Sequence, residues 1–178
     1  MIENNIEHLE EILSQSQETI GADYAGYRNH VYRMLHFCFY LGHPDPVARQ
    51  KLIIAGAFHD IGIWTAGTLD YLDPSVAAAQ EYLRQQALDA WAEEISLMIE
   101  MHHKIMPFKT PDLPLVELFR QGDLVDFSLG MVKFGIPKEY IAEVKRSFPN
   151  QGFHKRLKAL AWSRFKSHPA NPLPMMRW

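Results

Sequence analysis

Leu52–Ile63 reads LIIAGAFHDIGI, apolar around a full helical turn until it reaches His59 and Asp60. A helix that is apolar on all sides is normally buried. An unpaired charge at its end costs several kcal/mol, so the doublet needs a compensating partner. A metal ion is the simplest one, because it accepts both an imidazole and a carboxylate. The helix dipole adds to this, since its C-terminal end favours a cation. The fold and the function can both be read by asking what surrounds this stretch.

Helical spacing of apolar residues continues on either side. Ile2–Gln17 carries Ile2, Ile6, Leu9, Ile12 and Leu13 on one stripe. Gly21 and Gly26 bracket a break, and Tyr27–Leu41 is a second helix closed by Gly42. The central helix is expected over Pro46–Ile61, with Pro46 at its first turn and Gly62 just past its end. Trp64–Asp73 reads as a loop, and Asp73 or Ser75 caps a helix to about Gln86. Helices follow over Leu88–Lys104, Leu115–Gly130, Pro137–Ser147 and Phe153–Lys166, with Gly122 anomalous inside the second of them. Met106–Pro114 is a proline-rich loop, and His168–Trp178 holds three prolines and is no helix interior. No segment alternates as a strand does. The expectation is an all-α, compact bundle of about seven helices, a single domain over 1–178, with the motif-bearing part at about 27–128 and terminal helices and tail at 137–178.

Composition narrows the function classes. The 178 residues suffice for one sizeable core, and a net charge of -3 gives no broad basic surface for a nucleic acid polymer. The lone Cys38 excludes an internal disulfide and sits in an apolar run, as an inert core thiol does. The acidic start MIENNIEHLEEIL is unlike a secretory signal, and no apolar run nears the ~20 residues needed to span a bilayer. A cytoplasmic protein without a membrane partner is expected; an apolar tail leaves a homodimer open.

Residues with lone pairs stand where apolar ones belong. His30 shares its face with Met34 and Cys38. His59 and Asp60 follow Leu52 and Ala55, and Ile53, Gly56 and Ala57. His102 follows Trp91, Ile95, Met98 and Ile99, and Asp123 follows Val116 and Phe119. Taken singly, each is an ordinary core histidine or a capped aspartate. Together they project from the inward stripes of four helices, which is how a bundle builds a metal site. His8, His36, His43, His154 and His168 lack such context.

The ordered set His30, His59-Asp60, Asp123 resembles the HD-domain superfamily of metal-dependent phosphohydrolases. The match lies in AGAFHDIG around the doublet, NHVYR around His30, GDLVD around Asp123 and IEMHHK at Ile99–Lys104. It covers roughly Tyr27 to Ser128. The resemblance implies an all-α fold, His30, His59, Asp60 and Asp123 as ligands of one divalent metal ion (Mn, Mg, Co, Ni, Zn or Fe), and hydrolysis of a phosphomonoester or phosphodiester, often a nucleotide. Family members with two metals use two further, well-separated histidines. Here His102 and His103 are adjacent, so one metal is expected, with His102 behind it or on the substrate.

Such an ion acidifies a bound water into a nucleophile near neutral pH, and phosphoryl transfer then needs positioning and positive charge. Arg33, Lys51 and Lys104 are the candidate cations, each otherwise a solvated helix face. Asp60 belongs to the catalytic set, and Asp70 or Asp73 is the candidate proton donor. Trp64, Tyr71 and Leu72 stack on a base or pack locally, His102 and His103 touch substrate, and Asp126 orients a ligand or lies exposed. Two other readings stand beside the hydrolase: a hydratase or di-iron oxygenase on the same scaffold, which two bound metals would favour, and a non-catalytic metal-binding sensor domain, which a closed coordination shell would favour.

Overall fold

The computed structural model describes residues 2–176 and is entirely helical and turn-connected among them. Ten α-helical segments follow in order: α1 (Glu7–Ser14), α2 (Gln17–Ile20), α3 (Tyr24–Gly42), α4 (Pro46–Phe58), α5 (Gly62–Thr65), α6 (Leu72–Gln85), α7 (Ala92–Met101), α8 (Pro114–Phe127), α9 (Lys138–Ser147) and α10 (Phe153–Ser167). Eight are longer than a single turn; α2 and α5 are one turn each. None is long and apolar enough to cross a membrane among the described residues. The last two residues of the tail, 177 and 178, on which part of the homodimer expectation falls, lie outside the described residues.

Helix α4 is the centre of the bundle, as its all-round apolar pattern predicts. Leu52, Ile53, Ile54, Ala55, Gly56, Ala57 and Phe58 are all buried, and α1, α3, α6, α7 and α8 surround it. Its start is the one the sequence signals. The Asp45 side chain accepts from the Ala48 N–H at 2.8 Å, and Pro46 occupies the first turn, where its missing N–H costs nothing. The larger core cluster runs from Ile6 ahead of the first helix to Phe153 in the last.

Helix α8 lies along α3, and Gly122 explains how closely. A Cβ there would sit 2.3 Å from Cys38 Sγ and 2.9 Å from the Met34 carbonyl oxygen. The glycine inside α8 is therefore the point where two backbones meet, and it brings Asp123 against the His30 face of α3. Cys38 is fully buried there, with its thiol pKa pushed up by burial, as an inert core residue.

Several boundaries differ from the periodicity reading. Helix α3 runs through Gly42, and His43 takes the left-handed position at its end, with φ 42°. Helix α4 stops at Phe58, so His59 and Asp60 occupy the turn that leads into α5. Gly62 is not a left-handed cap. Its Cβ would meet the Tyr71 carbonyl oxygen at 2.4 Å, and its N–H donates to Ser75 Oγ at 3.0 Å. Ser75 thus ties two segments together, and neither it nor Asp73 caps α6. Leu88–Lys104 is not one helix: a 3-10 turn at Asp89–Trp91 precedes α7, which ends at Met101 and leaves His102 and His103 in a turn.

Candidate metal centre

The four residues drawn from the doublet, the lone histidine and the distant aspartate meet at one point. His30 comes from α3, His59 and Asp60 from the end of α4, and Asp123 from α8. His30 Nε2 lies 3.0 Å from His59 Nε2 and 3.4 Å from Asp123 Oδ1. Asp60 Oδ2 lies 3.4 Å from His59 Nε2 and 3.8 Å from His30 Nε2. Asp123 Oδ1 stands 4.0 Å from His59 Nε2. Two ligands at right angles, each about 2.1 Å from an ion, are about 3.0 Å apart, and tetrahedral ones about 3.4 Å. The three shortest spacings match the edges of a coordination polyhedron, and His30, His59 and Asp60 are the mutually close set that could hold an ion.

The tautomers sharpen this. His30 Nδ1 donates to Asp126 Oδ2 at 2.7 Å, and His59 Nδ1 donates to the Gly56 carbonyl oxygen at 2.8 Å. Each ring therefore turns its Nε2 toward the other. Two lone pairs facing at 3.0 Å repel unless a cation or an added proton lies between them.

A second group adjoins the first. Asp60, His102 and His103 also offer three ligand atoms within 4.8 Å of one another. Asp60 Oδ1 lies 3.5 Å from His102 Nε2, and Asp123 Oδ2 lies 3.8 Å from His103 Nδ1. Both carboxylates thus turn one oxygen to each group. Asp60 Oδ1 is buried without a hydrogen bond among the described residues, a state that costs the full desolvation of an ionised oxygen. His102 Nδ1 donates to the Ile99 carbonyl at 2.6 Å, so its Nε2 is also free to ligate.

This corrects the expectation that an adjacent pair of histidines cannot serve one ion. That expectation assumed a continuing helix, in which successive side chains diverge by ~100°. Because α7 ends at Met101, both rings turn the same way, with centroids 3.9 Å apart. His102 and His103 stand with Asp60 as a second group that could hold a metal ion.

Asp126 anchors the first group. It is buried, accepts from His30, and takes a two-pronged bond from Arg33: Nε to Oδ1 at 2.5 Å and Nη2 to Oδ2 at 2.8 Å. Arg33 also donates to the Phe148 carbonyl at 3.0 Å. Its guanidinium is committed to this buried pair, which removes it as a contact for substrate phosphate. Phe153 stacks on the His30 ring at 4.3 Å and closes the other side. Only its aromatic character after Gly152 signals it in the sequence.

The electrostatics conflict in the absence of an ion. Burial pushes His59 down to about 3, and burial together with the charge of His102 depresses His103. Burial opposes ionisation of Asp60, yet the surrounding His59, His102 and His30 hold it well below the usual carboxylate range. Burial pushes Asp123 up to about 6, with Asp60 and Asp126 adding to the effect and His102 and His30 opposing it. Burial opposes charge on His102, but the Asp60 bond and the Asp123 charge raise it. Burial works against Asp126 too, and its bonds from His30 and Arg33 lower it nonetheless. The ion partners of Asp60 and Asp123 among the described residues are histidines alone. A divalent cation would settle all of these groups in their ligating forms.

Other candidate residues fall outside. Asp70 and Asp73 are exposed, and among the described residues no hydrogen bond or ion pair joins either to the cluster. Lys51 binds Glu94 at 2.7 Å and lies over Trp91, about two helical turns from His59. Lys104 is half-buried in the turn after His103, with its carbonyl accepting from Arg120. Trp64 donates to Asp23 at 3.0 Å and packs on Tyr27 at 4.8 Å, so its ring is engaged locally rather than offered to a base. Leu72 and Tyr71 are buried in a small cluster with Ile63 and Leu69, under Leu157, Leu160 and Met175. Tyr71 is no open stacking surface: its hydroxyl points inward and shares a hydrogen bond with His103 Nε2 at 2.8 Å.

No protein-family model, no curated protein and no solved structure matches this chain. The functional reading rests on the site alone.

Proposed function

We propose that this chain is a metal-dependent phosphohydrolase of HD type, acting on a small phosphomonoester or phosphodiester, plausible substrates including nucleotides, in the cytoplasm. The observation that carries the reading is the face-to-face pair of Nε2 atoms of His30 and His59 at 3.0 Å, bordered by Asp60 and Asp123. These four would hold a divalent ion, which would supply an acidified water and positive charge against the phosphate. The chain does the rest by placement. Asp126 and the Gly56 carbonyl fix the two imidazoles in their ligating tautomers. Phe153 and Tyr27 exclude water from behind His30 and His59. His103 is the most exposed side chain of the cluster, at 12 %, and Phe127 lies exposed beside it at 5.9 Å. Substrate phosphate approaches over these two.

The test is phosphate release from a panel of nucleotides and sugar phosphates, with metal removed by chelation and restored one ion at a time. Activity that needs the ion and disappears in Asp60→Asn supports the reading. Turnover that persists in Asp60→Asn, or none with any ion and ester, removes it.

One observation favours a second reading. The two groups share Asp60, Asp123 turns one oxygen toward each, and a pair of iron ions held there would suit oxidation by dioxygen. Oxygen uptake by the iron-loaded protein, without phosphate release, would move the assignment there.

A further inference from the structure

The loop between α8 and α9 holds apolar side chains out in solvent. Met131 is 81 % exposed, Phe127 50 % and Leu129 48 %, with Val132 and Phe134 exposed beside them. A contiguous apolar patch of this kind marks an interaction surface. The loop keeps its shape through its own bonds. The Leu129 N–H donates to the Asp126 carbonyl and the Gly130 N–H to the Val125 carbonyl, both at 2.8 Å. The Val132 N–H donates to Ser128 Oγ at 3.0 Å, and the Ile136 N–H to the Lys133 carbonyl at 2.8 Å. Leu129 and Phe134 take left-handed backbone, with φ 57° and 47°, which bulky residues seldom adopt. The patch also has a neighbour. Arg120 donates to the Lys104 carbonyl at 3.2 Å and lies 6.0 Å from the Phe134 ring, which sets the exposed Ile105 and Met106 close to the same loop.

Positive charge borders the patch. From Phe127 to Lys138 the chain has two lysines and no acid. Gly130 packs on α9, where a Cβ would meet Ile141 Cγ2 at 2.9 Å. That approach sets Lys133 with Lys138 and Lys145 around a depression of about 240 Å³, which Ile141 and Ala142 also line. Glu139 and Glu143 lie about 100–140° round α9 from the stripe that carries Lys138 and Lys145. Lys145 gives one N–H to the Leu129 carbonyl at 3.2 Å, and an ammonium has two more. Among the described residues no ion pair engages any of the three lysines.

We propose that the α8–α9 loop is a peripheral anchor for an anionic lipid surface, with Met131, Leu129 and Val132 entering the boundary between headgroups and acyl chains and Lys133, Lys138 and Lys145 binding lipid phosphates. An apolar tip asks for hydrocarbon, and lysines without acids ask for a field of anions; an anionic leaflet presents both at one surface. A two-fold pairing of this patch with a second copy would instead bring like lysines together. The absence of a spanning run led to the expectation of no membrane partner, but an anchor of one loop needs no such run. The proposal goes beyond the hydrolase reading and does not depend on it. Phe127 belongs to the patch and also lies 5.9 Å from His103, so docking would hold the metal centre beside the lipid.

Flotation of the full chain with vesicles tests this. The vesicles are phosphatidylcholine alone, or phosphatidylcholine with about one third phosphatidylserine. Wild-type protein should bind the anionic vesicles at least about tenfold more tightly than the neutral ones, and added salt should weaken that binding. Met131→Asp should lower the affinity at least about tenfold. Lys133→Glu with Lys138→Glu should lower it about twentyfold or more, at about fivefold for each charge lost. None of these side chains is buried, so thermal unfolding should be unchanged in both variants. No flotation with anionic vesicles would overturn the proposal, and so would flotation that neither variant reduces. Two other occupants have signatures of their own, and each would overturn it too. A dimer in sedimentation that Met131→Asp splits, with no lipid bound, marks a second copy. Inorganic phosphate bound by the wild-type protein and lost in the double lysine variant, with no lipid bound, marks a site for a free anion. All of these results leave the metal centre standing.

Discussion

Helix α3 carries two buried histidines, and the two ends of the helix put them to different uses. His30 donates from Nδ1 to the buried carboxylate of Asp126 and turns its Nε2 toward His59. His36, six residues on, bonds through Nε2 to the Glu3 backbone carbonyl at 3.1 Å and stacks on Phe148 at 5.5 Å. Burial is the same for both. A carbonyl satisfies one core histidine, whereas a carboxylate behind the ring and lone pairs in front of it mark a ligand. The difference lies in the partners and not in the side chain, and it decides what each substitution should do.

The largest effect is expected at the junction of the two groups. Asp60→Ala removes an oxygen from each, and bound metal per chain, measured by elemental analysis after dialysis, should fall by more than about a hundredfold in affinity, beyond what outer partners cost. Retained metal at the wild-type level would end the distinction between the two ends of α3.

Asp126→Asn should come next. It leaves an acceptor for His30 but strands the buried guanidinium of Arg33, so stability should drop by about 3–5 kcal/mol and metal affinity by about 10–100-fold, read by denaturant unfolding and metal titration. Arg33→Met in the same chain should recover much of the stability and little of the affinity.

Acid should weaken the His30 end selectively. Asp123 holds a proton up to about 6 in the ion-free protein. It must release that proton to bind metal, so affinity should fall about tenfold for each pH unit below 6 and level off above it. His102, raised from its ordinary value, extends the dependence upward for the second group. Isothermal titration in buffers of differing ionisation heat counts the protons released; no release would contradict the scheme.

The smallest effect belongs to the other end. His36→Phe loses one bond to a backbone carbonyl and keeps the stacked ring, a change of about 1 kcal/mol, with metal binding unaltered. A loss of metal in this variant would erase the contrast.

The periodicity of the chain made the fold legible because helix α4 is apolar on every face and the helices around it carry single apolar stripes. The convergence of His30, His59, Asp60 and Asp123 was legible for the same reason, since lone-pair side chains stood on inward stripes. What the stripes do not encode is where a helix stops or what a charged side chain meets. His102 and His103 share a direction only because α7 ends at Met101. Arg33 and Lys51 read as free cations until Asp126 and Glu94 are placed against them. Tyr71 reads as a loop aromatic, and the packing of α10 and Met175 over it turns its hydroxyl inward. These are contacts between residues far apart in the chain, and a local pattern carries no trace of them.

The central claim is that a cation lies between the facing Nε2 atoms of His30 and His59. Anomalous diffraction from crystals grown with manganese or cobalt tests it most directly. The account predicts a peak about 2.0–2.3 Å from both nitrogens and from a carboxylate oxygen of Asp60 and of Asp123. Density free of any anomalous peak, with the two rings joined by a shared proton instead, would contradict it.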